Sequence, residues 1–454
     1  MGKYQAYPEY KETEFEWLGK VPLLWKPIKF GITNSSAELG GNYLAGEGEE
    51  GIPVIKMGNL GRGIVNLKKI ERLPINEVYD GEHLLKKDDF LFNTRNSLDL
   101  VGKVSIWREE LEYAVYNSNI LRIKFDKKFV GSTAFMNYLF NSSLGLSQLR
   151  LIAKGTTSVA AIYYKELRSL VFALPTIQEQ QKIANFLDHE TAKIDTLIEK
   201  QQQLIALLKE KRQAVISQAV TKGLNPEAPM RDSGVEWLGE VPEHWERKSL
   251  NYLIAHTVDN RGRTPPVIDS GIPMAEVSQV AGNGFYTSDN YSKFITQESY
   301  DQFVRSDVKE NDILFVTVGA TFGKTCLVPP SPDFFIAQNV VGFRCVDSVD
   351  SKFFMFLLSS SIFKEAISAT NKSSTIDNVK VSDLVKTKLV IPSYEEQVDI
   401  ANHIFTIVDQ YEKLVIKAES VIGLMQERRT ALISAAVTGK IDVRDFTPKA
   451  AETC

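Results

Sequence analysis

The stretch EWLGKVPLLW (residues 16–25) occurs a second time as EWLGEVPEHW (residues 236–245). Tryptophan gives the match its weight, because four of the five tryptophans of the chain, Trp17, Trp25, Trp237 and Trp245, lie in the two copies. Repetition over such a distance is a property of the whole architecture and has to be interpreted before any local motif. The two copies predict that the chain is built from two related halves.

Further matching segments follow in the same order in both halves. They are GIP (51–53 and 271–273), DDFLFNTRNSLDLVGKV (88–104) with NDILFVTVGATFGKTCL (311–327), NSNILRIKF (117–125) with AQNVVGFRC (337–345), LPTIQEQQKIANFLD (174–188) with IPSYEEQVDIANHIF (391–405), and KRQAVISQAVTKG (211–223) with RRTALISAAVTGK (428–440). Other segments, such as MGNLGRGIVN (57–66) and VSQVAGNGFY (277–286), share almost nothing. This pattern indicates a tandem duplication followed by divergence.

The composition is that of a globular protein with packed cores. The 454 residues favour two or three domains, and 43% of them are hydrophobic and 24% charged. No apolar run approaches the ~18 residues of a membrane span, and the N-terminal stretch MGKYQAYPEYKETEF lacks the pattern of a signal peptide. The three cysteines, Cys326, Cys345 and Cys454, have no CxxC spacing. They favour a reduced, cytoplasmic protein without structural zinc.

The net charge of −4 argues against a nucleic-acid partner only if the charge is evenly spread, because duplex binders depend on Lys and Arg against phosphate. The charge is uneven. Residues 56–72 contain five basic residues and one acidic residue. A local basic surface is therefore compatible with DNA binding.

The final segments of each half predict two long helices, over residues 176–222 and 393–439. Both have the same signals: a capping box at Thr176/Glu179 and Ser393/Glu396, and a terminating glycine at Gly223 and Gly439.

Apolar residues recur every seven positions along both predicted helices. In the first they are Leu187, Ile194, Leu208 and Val215, with Leu197 and Leu204 on the adjoining row; in the second they are Ile404, Tyr411, Ala418, Met425 and Leu432, with Leu414 and Val421 alongside. Such a narrow stripe is typical of a helix that pairs with another helix. Each helix, if unbroken, is ~68 Å long at 1.5 Å per residue. That length exceeds what one domain covers, so we expect the two helices to pair with each other.

The segments before each helix contain short β-branched runs separated by Gly, Asn, Asp and Pro, which indicates sheet-rich domains with some helix. The predicted class is α+β, with two sheet-containing domains joined and separated by two long antiparallel coiled-coil helices. The predicted order is a first domain (1–175), first helix (176–222), linker (223–234), second domain (235–392), second helix (393–439) and tail (440–454). A duplicated chain tends to fold about a pseudo-twofold axis, which places the domains at opposite ends of the helices.

No catalytic motif in the sequence has the residues and spacing that its chemistry requires. The Pro-Pro pairs in TPPV (264–267) and VPPS (328–331) do not fit the loop of an amino methyltransferase, and GATFGKT (319–325) lacks the spacing of a phosphate loop. The nuclease-like residues Asp232, Glu246 and Lys248 lie in the linker and the repeated phrase, and their counterparts differ. The five histidines have no metal-ligand spacing. The residues alone therefore supply no catalytic motif and no metal-ligand set.

The segments quoted above resemble one family, the specificity subunits of Type I restriction–modification systems. The resemblance covers nearly the whole chain. Its most specific parts are the WLGxVPxxW phrase, DILFVTVGATFGK (312–324) with its partner DDFLFNTRNSLDLVGK (88–103), and the LPTIQEQQKIANFLD-type entry into each long helix.

The resemblance implies a division of labour. Two target-recognition domains each read one half of a bipartite double-stranded DNA sequence, and the helices set the spacing. Two copies of a modification (methyltransferase) subunit dock on the repeated regions, and restriction/translocase subunits can join them. S-adenosylmethionine for adenine methylation is then held by the methyltransferase, and ATP and Mg²⁺ by the restriction subunit. The resemblance implies that this chain holds no cofactor and determines only which DNA sequence the complex acts on.

Candidate DNA contacts are polar and basic residues in the loops of the two domains, because these side chains read base edges and phosphates. In the first domain they are Asn59, Arg62, Lys68, Lys69, Asn93, Arg95, Asn96, Lys103, Lys154, Thr156, Thr157 and Ser158. In the second they are Arg261, Arg263, Ser278, Gln279, Thr317, Lys324, Asn371, Lys372, Ser373 and Ser374.

The repeated phrase supplies the candidate partner-binding residues Trp17, Leu18, Trp25, Trp237, Leu238 and Trp245. A packing motif that fastens each domain to its helix is an equally good interpretation, since tryptophan is common in cores. Two other classes of function stay open on the residues alone. One is a coiled-coil scaffold with two protein-binding heads, and the other is a nucleic-acid enzyme with an unfamiliar site.

Overall fold

A computed structural model describes residues 4–48, 50–155, 159–235, 237–262, 264–280, 286–336, 339–370 and 381–447. The chain folds into two compact units. Unit 1 comprises residues 1–200 and 421–454, and unit 2 comprises residues 201–420. The division falls inside both long helices, so each unit contains the beginning of one helix and the end of the other.

Unit 1 begins with the strands and helices of the first half. They are β1 (Tyr10–Glu12), β2 (Lys20–Pro22), β3 (Lys26–Lys29), β4 (Asn34–Leu39), β5 (Ile52–Ile55), β6 (Glu71–Leu73), β7 (Phe90–Asn93), β8 (Arg95–Asn96), β9 (Val104–Ile106), β10 (Val115–Tyr116), β11 (Ile120–Phe125), α1 (Thr133–Asn141), α2 (Ser143–Ile152), β12 (Lys154–Gly155), β13 (Ala160–Ala161), α3 (Tyr164–Leu167), β14 (Val171–Leu174) and the long helix α4 (Ile177–Lys222).

The second half repeats most of these elements. They are β15 (Met230–Asp232), β16 (Glu240–Pro242), β17 (Glu246–Ser249), β18 (Ile254–Val258), β19 (Ile272–Ala275), β20 (Phe294–Ile295), α5 (Gln297–Phe303), β21 (Ile313–Val316), β22 (Thr325–Leu327), β23 (Phe335–Ile336), β24 (Val340–Cys345), α6 (Ser351–Ser359), α7 (Ser361–Thr370), α8 (Val381–Leu384), β25 (Lys388–Ile391) and the long helix α9 (Tyr394–Val437).

The main sheet of each unit has the same antiparallel order, β4-β11-β7-β9 in unit 1 and β18-β24-β21-β22 in unit 2. Smaller sheets also correspond. β14 pairs with β3 as β25 pairs with β17, and β10-β5-β6 matches β23-β19-β20, including one parallel pair in each. The duplication seen in the sequence is therefore a duplication of fold.

Each unit packs its main sheet and helices around buried aromatic rings. In unit 1, the ring of Phe30 lies 4.9 Å from that of Phe140, and the ring of Phe140 lies 5.0 Å from that of Phe172. In unit 2, Phe315 lies 6.1 Å from Phe343. Aromatic side chains bury large areas and dominate core energetics. These clusters form the centre of each unit's core.

The long helices run antiparallel within each unit. In unit 1, Lys182 of α4 donates to the carbonyl of Arg444, beyond the end of α9, and Asp195 accepts from Arg429 at 2.8 and 3.2 Å. From the first contact to the second, the residue number increases along α4 from 182 to 195 and decreases in the other segment from 444 to 429, so the two segments are antiparallel. In unit 2, Arg212 of α4 pairs with Glu412 of α9 at 3.2 Å. The terminal Gly223 lies against Glu396 there. The predicted α+β class and the two long antiparallel helices are confirmed.

The buried seam contains the predicted heptad row. Leu187, Ile194, Leu208, Ile404 and Ala418 are buried. The remaining members of that row are half-buried: Val215, Tyr411, Met425 and Leu432.

The adjoining row is a correction. Leu197, Leu204 and Leu414 are 47%, 43% and 50% exposed, and Val421 is half-buried. Because helix contacts alternate steps of four and three residues, the seam takes the residues four positions after each heptad member. These include the buried Val408 and Val415 and the half-buried Ile198 and Ile205.

The helix ends match the sequence signals in part. The Glu179 and Glu396 amides lie 3.3 and 3.4 Å from the hydroxyls of Thr176 and Ser393, which is one half of a capping box. The carboxylates of the two glutamates accept hydrogen bonds from the repeated phrase instead of closing the box. Gly223 and Gly439 have φ of 71° and 72° and end the helices as predicted.

The residues after Gly223 contain regular structure. β15, within the predicted linker 223–234, pairs with β16 as β1 pairs with β2 in the first half. In the part of the chain that the structure describes, no helix has the length and apolar character needed to cross a membrane.

Candidate nucleic-acid interface

Asn59 lies inside a loop of unit 1 and holds it closed. Its side-chain oxygen accepts from the amide of Lys56 at 2.9 Å, and its nitrogen donates to the carbonyls of Asn66 and Lys69 at 3.0 and 2.9 Å. The side chain is buried, so it braces the loop and does not reach the surface. Lys68 and Lys69 are exposed on the same loop.

Gln279 has the corresponding position and role in unit 2. Its oxygen accepts from the amide of Glu276 at 3.0 Å, and its nitrogen donates to the carbonyl of Asn290 at 2.6 Å. The exposed Ser278 donates its hydroxyl to the same oxygen. Both copies therefore fix this loop with one buried amide side chain.

A second loop, between β7 and β9 of unit 1, is held by a ring of backbone hydrogen bonds. Asn93 donates its amide to the carbonyl of Lys103, and Gly102 donates back to Asn93, at 2.9 and 3.0 Å. Thr94 donates both its amide and its hydroxyl to the carbonyl of Asn119 at 2.9 Å. Gly102 has φ of 73°, which favours glycine. Asn93 is buried here and Lys103 is half-buried.

Unit 2 contains the same frame between β21 and β22. Val316 donates to the carbonyl of Lys324 at 2.9 Å, and Gly323, with φ of 74°, donates to Val316 at 3.0 Å. Thr317 donates its amide and hydroxyl to the carbonyl of Asn339 at 3.0 and 3.2 Å. The buried Thr317 thus braces the loop, and Lys324 takes the place of Lys103.

The loops that the two frames hold are different. In unit 1 the loop spans residues 95–101 and leaves Leu98 and Leu100 40% and 42% exposed. In unit 2 it spans residues 318–322, two residues fewer, and Phe322 packs with its ring 5.6 Å from that of Phe315. Identical frames therefore present unlike surfaces.

Three cations gather beside the longer loop of unit 1. Arg62 donates to the carbonyl of Asp99 in that loop at 3.2 Å. Partial desolvation, followed by the charge of Arg150 on α2, lowers the pKa of the Arg62 guanidinium. Burial and the charge of Arg62 likewise lower the pKa of Lys103. Mutually repelling cations at a surface favour a bound anion such as phosphate.

Unit 2 has a related group. The side chain of Lys364, on α7, lies against Gly323. Burial, followed by the charges of Lys324 and Arg212, lowers the pKa of Lys364. Arg150 and Lys364 were missed in the sequence because each is a single cation on an otherwise amphipathic helix. Only the fold brings them to the frame.

The Lys154 hairpin lies beside the longer loop of unit 1. β12 pairs with β13, and β13 pairs with β8, which carries the exposed Arg95 and the half-buried Asn96. Lys154 is exposed and pairs with Glu166 at 2.6 Å. That carboxylate lowers the net charge which Lys154 offers to a phosphate.

Other predicted DNA contacts are engaged locally or fall outside the described residues. Arg261 is half-buried and forms hydrogen bonds to both oxygens of Asp259 at 2.8 Å. Six further polar residues and two basic ones lie outside the described part of the chain: Thr156, Thr157, Ser158, Asn371, Ser373, Ser374, Arg263 and Lys372.

The repeated phrase divides between core and surface. Trp25 and Trp245 are buried and donate their indole N–H groups to Glu179 and Glu396 at 3.0 and 3.1 Å. Each phrase is thereby fastened to the start of a long helix, which supports the packing interpretation for these two tryptophans.

The first tryptophan of each phrase has another environment. Trp17 is 56% exposed and Leu18 is half-buried, whereas Trp237 is half-buried with its ring 6.3 Å from that of Phe363, and Leu238 is buried. In unit 1 the phrase lines a cavity of about 480 Å³. Trp17, Leu18, Leu144, Leu151, Val437 and Lys440 contribute to its walls.

No group of three or more His, Cys, Asp or Glu side chains suited to a metal ion is found among the described residues. Cys326 and Cys345 are unbridged. Burial raises the pKa of the Cys345 thiol to about 12, which suppresses the reactive thiolate.

The two units thus have equal topology and hold unlike loops on matching frames. The family model described as "Type I restriction modification DNA specificity domain" matches residues 40–207 and again residues 252–419. The chain therefore belongs to the Type I restriction–modification specificity subunits and recognises DNA targets. In this family recognition resides in the specificity subunit and catalysis in the partner subunits.

Curated relatives of the same description span most of the chain. The putative type I restriction enzyme MjaX specificity subunit of Methanocaldococcus jannaschii is 23% identical over 97% of this chain and 99% of its own length. The EcoBI specificity subunit of Escherichia coli is 26% identical over 82% and 76%.

A solved chain from a study of complex assembly and conformational transition of the type I R-M system has a similar fold. It superposes with a TM-score of 0.63 at 16% identity, over 93% of this chain and 99% of the other. At this identity the likeness concerns the fold alone.

Proposed function

We propose that the chain binds a bipartite, asymmetric DNA sequence, with unit 1 and unit 2 each reading one half. The supporting observation is the pair of frames. Thr94 and Thr317 make the same hydrogen bonds, and Lys103 and Lys324 occupy the same position. The loops that the frames hold differ in length and polarity. A common frame with unlike loops is what two readers of unlike half-sites require.

The two copies of the repeated phrase are proposed as docking surfaces for two adenine methyltransferase subunits, which restriction/translocase subunits can join. Trp17 is the best-placed anchor because it is exposed beside a cavity of about 480 Å³. Exposed tryptophans at pockets often dominate binding energy. Trp25 and Trp245 contribute indirectly, since both are committed to the core.

The chemistry then belongs to the partners. S-adenosylmethionine is expected in the methyltransferase, and ATP and Mg²⁺ in the restriction subunit. A complex acting on chromosomal DNA would work in the cytoplasm. In this arrangement the chain determines which adenine is methylated, and it takes no part in the methyl transfer.

The test is methylation by the purified chain with and without its cognate methyltransferase subunit. We expect N6-methyladenine at a split, asymmetric sequence only when both proteins are present. Trp17→Ala should weaken methyltransferase binding roughly tenfold or more and leave DNA binding by the chain unchanged. Leu44→Ala, at a side chain 91% exposed elsewhere in unit 1, is the matched control. Labelled methyl transfer by the chain alone would contradict the proposal.

A further inference from the structure

The loop of residues 95–101 in unit 1 places apolar side chains where a polar surface would be the default. Leu98 and Leu100 are 40% and 42% exposed. They lie on either side of Asp99, whose carbonyl accepts the hydrogen bond from Arg62 at 3.2 Å. The loop is thus anchored at its centre while both leucines face outward.

Cations border these leucines. Arg62 contacts the loop itself, and Lys103 follows it in the chain. Gly102, directly after the loop, faces α2, since a Cβ placed there would lie 3.4 Å from the Leu149 side chain. Arg150 is the next residue of α2, and its charge acts on Arg62. Asp99 is the one acidic residue among residues 95–101. An exposed apolar pair on a loop that Arg62 contacts, with Lys103 and Arg150 close to Arg62, matches the chemistry of a DNA groove, with phosphates at the edges and base edges between.

We propose that loop 95–101 enters the major groove of the half-site read by unit 1, where Leu98 and Leu100 contact thymine C5-methyl groups. The methyl of thymine is the apolar group that a base pair presents in that groove. The flanking cations contact the phosphates on either side. This assignment rests on the proposed function and adds to it the residues that select bases in one half-site.

Unit 2 provides the contrast. Its frame holds the shorter loop 318–322, in which Phe322 turns toward Phe315. The leucine pair has no equivalent there, since residues 318–322 read VGATF. A dependence on thymine methyl groups through this loop should therefore be confined to one of the two half-sites.

The experiment uses the full chain and a pool of random 40-base-pair duplexes. The sequences selected by the wild-type protein define the two half-sites, and probes are then made with thymine replaced by deoxyuridine, which lacks the methyl group. We expect one half-site to contain thymine, and its replacement to weaken binding roughly fourfold for each buried methyl. Leu98→Ala with Leu100→Ala should remove that preference and leave the salt slope unchanged. Arg62→Ala should reduce the salt slope by about one.

Leu44→Ala serves as the control, because it shortens a highly exposed leucine that is not part of the loop. Equal binding of thymine and deoxyuridine probes by the wild-type chain overturns the proposal, as does selection of half-sites without thymine. The same holds if the double variant keeps its base preference. The deoxyuridine probes act on the unaltered protein, so they decide even if the variant fails to fold. Absence of any sequence selection by the wild type contradicts the proposed function itself.

Discussion

At the scale of single residues, the two copies of the repeated phrase are explained by a shared hydrogen bond. Trp25 and Trp245 each donate to the glutamate in the first turn of a long helix, at 3.0 and 3.1 Å. Glu179 also accepts from Tyr7 at 2.7 Å, and Glu396 is 2.8 Å from a ring nitrogen of His244. A buried indole N–H left without an acceptor is costly. Duplication therefore had to preserve the phrase and the helix entry together.

Replacing Glu396 with Ala should lower the stability of unit 2 by about 1–3 kcal/mol, because the buried Trp245 N–H loses its partner. Glu395→Ala is the matched control, since Glu395 is exposed in the same helical turn and should change stability by less than about 0.5 kcal/mol. Hydrogen exchange of peptides from unit 2 measures both. Equal protection in the two variants would refute a role for the Trp245–Glu396 contact in stability.

The residue scale also marks the limit of sequence interpretation. Loop position predicts surface polar residues, yet Asn59, Gln279 and Thr317 are buried braces, and Asn93 is buried as well. Composition cannot distinguish a polar side chain that is satisfied internally from one that faces solvent. Leu98 and Leu100 were overlooked for the opposite reason, since an apolar residue in a sequence is assigned to the core until the fold exposes it.

At the scale of elements, the long helices show which part of the helix–helix seam a heptad pattern predicts from the sequence. The row containing Leu187, Ile194 and Leu208 is in the seam, as its period of seven predicts. The second row that the leucine spacing predicts lies three residues further on, at Leu197, which is 47% exposed. Steps of three and four residues both return to the same side of a helix. The preference for leucine therefore selects Leu197, although the seam contains Ile198.

A pair of charge substitutions tests this seam. Ile194→Glu places a carboxylate at a side chain that is 7% exposed and should lower the free energy of unfolding by more than about 2 kcal/mol. Leu197→Glu introduces the same charge three residues along and should cost less than about 0.5 kcal/mol. Urea denaturation of the full chain compares them. A larger loss for Leu197→Glu would move the seam to the row first predicted.

The segment after α9 gives a pH-dependent test. Arg444 stacks over the Tyr7 ring at 5.0 Å and pairs with Asp442, which lowers the pKa of that carboxyl. A lowered folded-state pKa contributes stability at neutral pH, and that contribution is lost as pH falls through the folded-state pKa. Asp442→Asn should therefore be less stable than wild type at pH 7, by under about 1 kcal/mol because the pair is partly exposed.

The difference between Asp442→Asn and wild type should begin to shrink below about pH 4 and should vanish only below the lowered folded-state pKa of Asp442. Thermal melts over a series of pH values from neutral to strongly acidic measure it. Asp445→Asn, at an exposed aspartate three residues on, is the control and should match wild type at every pH value. A constant difference across that range would show that the carboxylate charge is not what stabilises the segment.

At the scale of the whole molecule, the hydrophobic core of each unit is completed by the end of a long helix, and the two helix ends contribute residues of the same types. Unit 1 buries Ile433, Ala436 and Val437 from the end of α9 in its core. Unit 2 buries Ile216, Ala219 and Val220 from the end of α4 in the equivalent core. The two triplets are identical in residue type and spacing, so the end of either helix carries the side chains that either unit needs.

This identity predicts that residues 1–222 form a homodimer. In the full chain the end of α9 completes unit 1, and a fragment without α9 can obtain Ile216, Ala219 and Val220 from a second copy. Because α4 and α9 pair antiparallel within each unit, two α4 helices should pair antiparallel across a twofold axis. The dimer should be weaker than the native arrangement, since Ile441, Val443 and Phe446 of the segment after α9 also pack on unit 1 and are missing. With the methyltransferase, a twofold protein should modify an inverted repeat of the half-site read by unit 1. Ile194→Glu should abolish dimerisation, with Leu197→Glu as the control that keeps it. Sedimentation at micromolar concentration measures the outcome, and a strictly monomeric, folded fragment would contradict the interchange of helix ends.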